Sequence, residues 1–447
     1  MASNPNFTEG KILSPLIRFA FPVLVALFLQ SMYGAVDLMI VGRFGQATDV
    51  SAVSTGSQIM QVITTIIVGL SMGTTVLVGQ RIGERREAEA GRVIGSSIAL
   101  FAVLSLILTG IMLLSARGIT RLMQAPEEAF SSTVTYVMIC SAGAIFIVAY
   151  NVLGSIFRGI GNSKIPLITV AIACVQNILC DLLFVAVFGW GAAGAALATI
   201  IAQGISVALS FLFILRTPLP FHFSRKDIRF DRRLIGGVLR LGAPIALQDF
   251  LVNISFSVII AIVNTLGLIA SAGVGVAGKL CGFIMLVPSA FMQSMSAFVA
   301  QNIGAGKPDR ARHALWIGIS SSFVVGALMG YLAFFHGDLL SALFAEDPAI
   351  ISAAWDYLKA YAIDCLLVAF LFCFMGYYNG CGHTTFVMAQ GIIGAFLVRI
   401  PVSWFMSRLP TVSLFYVGLA TPASTTVQIA LCMGFYFLMR RRSISTK

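Results

Sequence analysis

Residues 21–45 read FPVLVALFLQSMYGAVDLMIVGRFG, and residues 243–267 read APIALQDFLVNISFSVIIAIVNTLG. Laid together without a gap they pair Pro22 with Pro244, Gly45 with Gly267 and, just beyond, Gly56 with Gly278. The same offset of 221–222 residues pairs GQRIG (79–83) with AQNIG (300–304), Pro126 with Pro348, Tyr136 with Tyr357, and FRGIGN (157–162) with YNGCGH (378–383). One offset that survives along most of a half is an internal duplication.

The unit duplicated is a set of membrane spans. Hydrophobic residues make up 58% of the chain and charged residues only 11%, less than half the share of an ordinary soluble domain (about 25%). Apolar runs fall at about 15–41, 50–78, 91–115, 131–157, 163–188, 191–215, 240–266, 272–300, 312–336, 351–377, 384–408 and 413–438. Each covers ~30 Å of hydrocarbon as a helix. They are continuous and not alternating, which excludes a barrel. Pro22, Pro244, Pro288, Pro401 and Pro422 lie inside them, where prolines often kink membrane helices. The expected fold is all-α and integral to the membrane, with twelve helices in two six-helix lobes. An N-lobe (1–215), a cytoplasmic linker (216–239) and a C-lobe (240–447) follow from the repeat. An even number of spans per lobe gives both lobes one orientation, related by a pseudo-twofold axis along the membrane normal. Two such bundles form an alternating-access plan, with a substrate cavity between them.

The net charge of +11 does not indicate nucleic acid. With the N-terminus inside, the outer loops hold only Arg43, Arg117, Arg121 and Arg408, while Lys279, Lys359 and Arg399 lie in or near spans. The other Lys and Arg fall on the inner side, which puts both termini in the cytoplasm of a plasma (inner) membrane. The first residues lack the basic start and short apolar core of a cleavable signal. The eight cysteines fall almost entirely within spans and form no CxxC, so they read as small packing residues. No HExxH, P-loop or GxSxG is present, which argues against an enzyme and against a nucleotide-driven pump.

Residues that the repeat does not share point to chemistry. Asp37 aligns with Ile259, Asp181 with Val402 or its neighbour, and Asp249 and Asp364 oppose apolar or small residues. The fold therefore does not need these carboxylates. In CVQNILCDLLF (174–184), Asn177 and Asp181 share one helix face, a turn apart. Asp37 lies ~8 Å, and Asp181 and Thr199 ~12 Å, below the outer edge at 1.5 Å per residue, with Tyr136 in the same outer zone. No Lys or Arg shares that zone. Buried carboxylates at one depth call for a cation or a proton: oxygen groups suit Na⁺, and burial beside a like charge favours a protonated carboxyl. Asp37, Asn177, Asp181 and Thr199, with Tyr136 nearby, form the candidate Na⁺ or H⁺ site. The plainer reading is hydrogen bonding between helices. Gln30, two turns inward from Asp37, with Asn151 and Gln203, is the candidate substrate pocket. In the C-lobe, Asp249, Asn253, Asp364 and Arg399 form either an internal ion pair or a second coupling site.

FPVLVALFLQSMYGAVDLMIVGRFG with Asp37, the GQRIG/AQNIG pair, FRGIGN and NILCD (177–181) occur in an order that resembles the multidrug and toxic compound extrusion (MATE) transporters along essentially the whole chain. That resemblance implies a V of two six-helix lobes exporting cationic or amphipathic compounds in exchange for Na⁺ or H⁺. It implies no further cofactor, and a monomer in a bacterial membrane. It places the N-lobe coupling site on Asp37, Asn177, Asp181 and Thr199, and bending of the first helix on Pro22. The C-lobe glutamate and aspartate of the NorM branch are missing: FLVNIS (250–255) carries Asn253, and NGCGH (379–383) ends in His383. The chain looks closer to the DinF-like branch. A lipid-linked saccharide flippase of the same superfamily is the alternative, though it would favour more spans and a cationic cavity.

Overall fold

Lipid offers backbone N–H and C=O groups no partners, so each apolar run closes its own hydrogen bonds as a helix. The computed structural model of the chain describes residues 7–216, 225–411 and 413–445. Eleven of its helices are long and apolar enough to span a membrane, and a bent pair makes the twelfth. They are α1 (Leu13–Phe44), α2 (Ala47–Gly83), α3 (Glu87–Leu122), α4 (Glu127–Ala142 and Ala144–Ile160, bent by 53°), α5 (Lys164–Val187) and α6 (Gly191–Ile214). The second six are α7 (Arg232–Asn264), α8 (Leu268–Gly304), α9 (Pro308–Phe335), α10 (Pro348–Gly380), α11 (Thr384–Met406) and α12 (Leu414–Arg441). Of the expected linker, 216–239, residues 217–224 lie outside the described residues.

Contacts divide the chain into two units. One gathers residues 21–246 with short pieces at 1–8 and 304–306; the other gathers 9–20, 247–303 and 307–447. The divisions fall inside α1 and α7, next to Pro22 and Pro244. Both helices nevertheless run unbroken through their prolines. Pro288, Pro401 and Pro422 instead stand just after a break or a change of helix type, at Met285, Arg399 and Leu419. A proline can start a helical segment, because its missing N–H would be unpaired there in any case.

The repeated motifs turn out to be helix ends. In FRGIGN, Gly161 takes φ 86° and ends α4, with Gly161 N–H on Arg158 O and Asn162 N–H on Phe157 O. In YNGCGH, Gly382 takes φ 85° and ends α10 with the same two bonds, to Asn379 O and Tyr378 O. This is the left-handed cap that only glycine adopts without strain. Where α2 meets α7, Gly69 and Gly73 lie against the backbone of Ala246, Val238 and Gly242, closer than any side chain allows. Small residues one turn apart are a usual way for helices to pack in lipid.

Two carboxylates fix three helix starts. Asp49 accepts from Gln46 N–H (3.1 Å) at the head of α2 and from Ala192 N–H (3.0 Å) at the head of α6. Asp356 accepts from Ser413 Oγ–H (2.8 Å) and Phe415 N–H (3.1 Å) at the head of α12. The N–H groups of a first helical turn have no partner within the helix, and a carboxylate answers both that need and the dipole. The α2–α3 turn is laced by Arg81, Arg86 and Arg92 against Glu84 and Glu89.

Candidate functional site

Four elements of the first unit converge on Asp37. It stands on α1 and is 5% exposed; Asn177 and Asp181, on one face of α5, are fully buried. Asp181 is the last α-helical residue before a π-helical stretch, Leu182–Val187, the kind of irregularity that membrane and soluble helices often place at working sites. Thr199 on α6 donates to Asp37 Oδ2 at 3.3 Å and is also 3.1 Å from Ala195 O in its own helix. One hydroxyl proton cannot fully serve both acceptors. Asp181 and Asn177 face the Asp37 carboxyl, yet Asp37 Oδ1, both oxygens of Asp181 and both polar atoms of Asn177 lack hydrogen-bond partners.

The surroundings make this costly. Ile40, Val53, Met60, Ile147, Val185 and Ile200, on the same bundle of helices, pack into one apolar cluster. Tyr136 on α4 is buried with them, its ring so close to Gly56 on α2 that a Cβ there would collide. Each unsatisfied buried polar group costs about 1–3 kcal/mol, and more when charged. No Lys or Arg among the described residues forms an ion pair with either carboxylate. The donor set (two carboxylates, an amide oxygen and a hydroxyl) fits a hard monovalent cation or protons shared between the carboxyls.

The pocket residues separate. A small cavity beside the site is lined by Tyr33, Tyr150, Val170, Ala173, Asn177, Ala202 and Gln203. Gln203, with an unpaired Oε1, therefore belongs to it. Asn151 does not line it, and gives its amide to Ile147 O of the same helix at 2.8 Å. Gln30 is half-buried and outside that lining. Tyr33 escaped the sequence reading, although it stands one turn inward of Asp37, the same spacing that drew attention to Asn177 and Asp181.

In the second unit the polar residues do not form one cluster. Asn253 on α7 donates to the backbone oxygen of Asp249 at 2.8 Å, a bond within one helix. Arg399 on α11 is 5% exposed; its Nη1 donates to Ser255 Oγ at 3.1 Å, and its guanidinium lies 4.2 Å from the Phe256 ring centroid. The carboxylate it faces is Asp364 on α10, which is 1% exposed and also borders Thr425. Arg399 Nε and Asp364 Oδ1 have no partner. Among the described residues, Arg399 makes no direct ion pair with Asp364 or Asp249.

Comparison with known proteins agrees with the duplication. The MatE family model matches twice, over residues 22–183 and 244–405. The chain is 26% identical to Probable multidrug resistance protein YoeA of Bacillus subtilis (strain 168) over 435 residues, 96% of this chain and 94% of that one. It is 27% identical to Probable multidrug resistance protein YpnP of the same organism, covering 97% and 94%. A solved outward-facing conformation of a multidrug resistance MATE family transporter superposes with a TM-score of 0.92 at 19% identity, each chain covered completely. With one family model accounting for both halves of the duplication, on either side of the α6–α7 connection, the chain belongs to the MatE family.

Proposed function

We propose that the chain is a multidrug-type exporter, a secondary antiporter that moves small cationic or amphipathic organic compounds out of the cell in exchange for H⁺ or Na⁺. The observation that carries the coupling is the pair of buried carboxylates, Asp37 and Asp181, of whose four oxygens only Asp37 Oδ2 has a hydrogen-bond partner and with which no basic side chain among the described residues pairs. The names of YoeA and YpnP support the substrate class. The chain is not an enzyme: it acts as a monomer in the plasma membrane, with both termini in the cytoplasm.

In the cycle, the incoming ion reaches Asp37 and Asp181 from outside. As Na⁺ it takes oxygens from Asp37, Asp181, Asn177 and Thr199; as H⁺ it sits on a carboxyl and is shared between the two. Either event cancels the local negative charge and removes the attraction for a cationic compound. Exchange follows because ion and substrate stabilise different states, and a ligand shifts an equilibrium only by its differential affinity. The experiment is dye efflux from proteoliposomes under a Na⁺ gradient and, separately, a pH gradient. One gradient should drive wild-type efflux, and Asp37→Asn should abolish it. Unchanged ion-driven efflux in both Asp37→Asn and Asp181→Asn, at normal protein levels, would refute the proposal.

A further inference from the structure

The second half reproduces the register of the candidate site with a different charge. The two family matches are spaced 222 residues apart, and at that spacing Leu-Ala-Thr at 197–199 recurs at 419–421. Thr421 thus takes the place of Thr199. By the same spacing Thr425 takes that of Gln203, Ser255 that of Tyr33, and Arg399 that of Asn177, while Ile259 and Ser403 stand where Asp37 and Asp181 would be. The second-half set is assembled in space as well as in register, since Arg399 donates to Ser255 and the carboxylate it faces, Asp364, borders Thr425. Asp364 itself is new to the site: at the 221-residue spacing of Tyr136 and Tyr357, it stands opposite Gly143, where α4 breaks.

The charges differ accordingly. Around Thr199 the first half buries two carboxylates and no basic group; around Thr421 the second buries one carboxylate and one guanidinium. The other titratable groups facing Asp364 and Arg399 are Tyr357, Tyr361, Cys281 and Cys365, types that are ordinarily uncharged at neutral pH. A guanidinium neither deprotonates nor leaves. Its hydrogen bond to Ser255 and its stacking on Phe256 hold it in place.

We infer that Arg399 is a tethered cation, doing permanently for Asp364 what the mobile ion does for Asp37 and Asp181, so that the second half exchanges no cation. This rests on the ion-coupled reading proposed above. Coupling then runs through the first half alone, and Arg399 is a specificity-determining residue for the number of ions exchanged.

The test counts ions on the purified full-length protein. NaCl is titrated by calorimetry, with proton uptake and release followed by a pH indicator, beside melting temperature. Wild type should bind its cation at the first-half site, and Asp37→Asn should lose it. Asp364→Asn should melt lower, because Arg399 is then uncompensated, yet keep the wild-type count, and Arg399→Lys should keep it too. Arg399→Gln should take up one additional Na⁺ or H⁺, lost again in Arg399→Gln/Asp364→Asn. A smaller count in Asp364→Asn alone would overturn the inference and leave the function standing, and this arm decides the matter even if Arg399→Gln fails to fold. An unchanged count in a folded Arg399→Gln would also overturn it. A wild type that binds neither ion would overturn the proposed function and this inference together.

Discussion

Asp37→Asn should make the resting protein more stable while removing its ion-driven transport. With neither Na⁺ nor a proton bound, Asp37 and Asp181 are desolvated like charges, and among the described residues Thr199 makes the one hydrogen bond to either. Two unit charges ~4 Å apart at an effective dielectric of ~20 repel by about 4 kcal/mol. Asparagine keeps the shape and removes that repulsion. Part is given back, because the bond from Thr199 falls from the charge-assisted range, about 1.5–3 kcal/mol, to the neutral one, about 0.5–1.5. The net gain is about 2–3 kcal/mol in cation-free buffer at alkaline pH, worth several degrees of melting temperature in a protein of this size. Wild type should recover the deficit when the coupling ion is added, since a ligand at ~100 times its dissociation constant contributes about 2.7 kcal/mol. The assay is thermal unfolding of purified protein at constant ionic strength, NaCl replacing choline chloride, repeated across pH. Wild type should respond to one of the two ions and the variant to neither. A variant that melts below wild type in cation-free buffer at alkaline pH would refute the reasoning, because a carboxylate held for structure loses its donors on substitution and one held under repulsion does not.

Three further outcomes test the scaffold. Gly56→Ala drives a methyl into the Tyr136 ring, whereas the repeat partner Gly278 has no neighbouring atom within 4 Å of a new Cβ; melting should show a loss of about 1–3 kcal/mol for the first and almost none for Gly278→Ala. Arg85 holds φ 58° where its repeat partner Gly306 holds φ 69°, so Arg85→Gly should stabilise by up to about 1 kcal/mol in the same measurement. Asp49→Ala removes two cap bonds, at the heads of α2 and α6; a loss of about 1–2 kcal/mol is expected, with faster hydrogen exchange confined to the first turns of those helices.

Much of the fold is legible in the sequence because lipid imposes a simple rule. Every span must be a long apolar helix, and each of the twelve expected runs falls on an observed span, overrunning its ends by no more than two residues. What escapes is the shape of individual helices. Prolines are the visible cue for a kink, yet Pro22 and Pro244 sit in unbroken helices, and the 53° bend of α4 falls at Gly143, with no proline in that span. The π-helical stretches after Asp181 and up to Arg399 have no sequence signature either. They depend on which backbone bonds the neighbouring helices allow, which is a property of packing.

The candidate site divides along the same line. Asp37, Asn177, Asp181 and Thr199 can be found in the sequence because each is a polar residue that the membrane penalises, and depth alone places them together. Asn151 met the same criterion and turned out to serve its own helix, since an amide can pay its desolvation to a carbonyl one turn away. A carboxylate has no such local remedy: it accepts hydrogen bonds only, and every helical N–H beyond the first turn is already used. Buried acids in the middle of a span therefore carry more information about function than buried amides. The second half sharpens the point. Arg399 and Asp364 are each as conspicuous in the sequence as Asp37, and only the superposed registers reveal that the arginine stands where the first half keeps Asn177. In this duplicated bundle one half holds an unbalanced charge cluster and its twin holds a counterion, and on the inference above that asymmetry leaves a single site to set the number of ions exchanged.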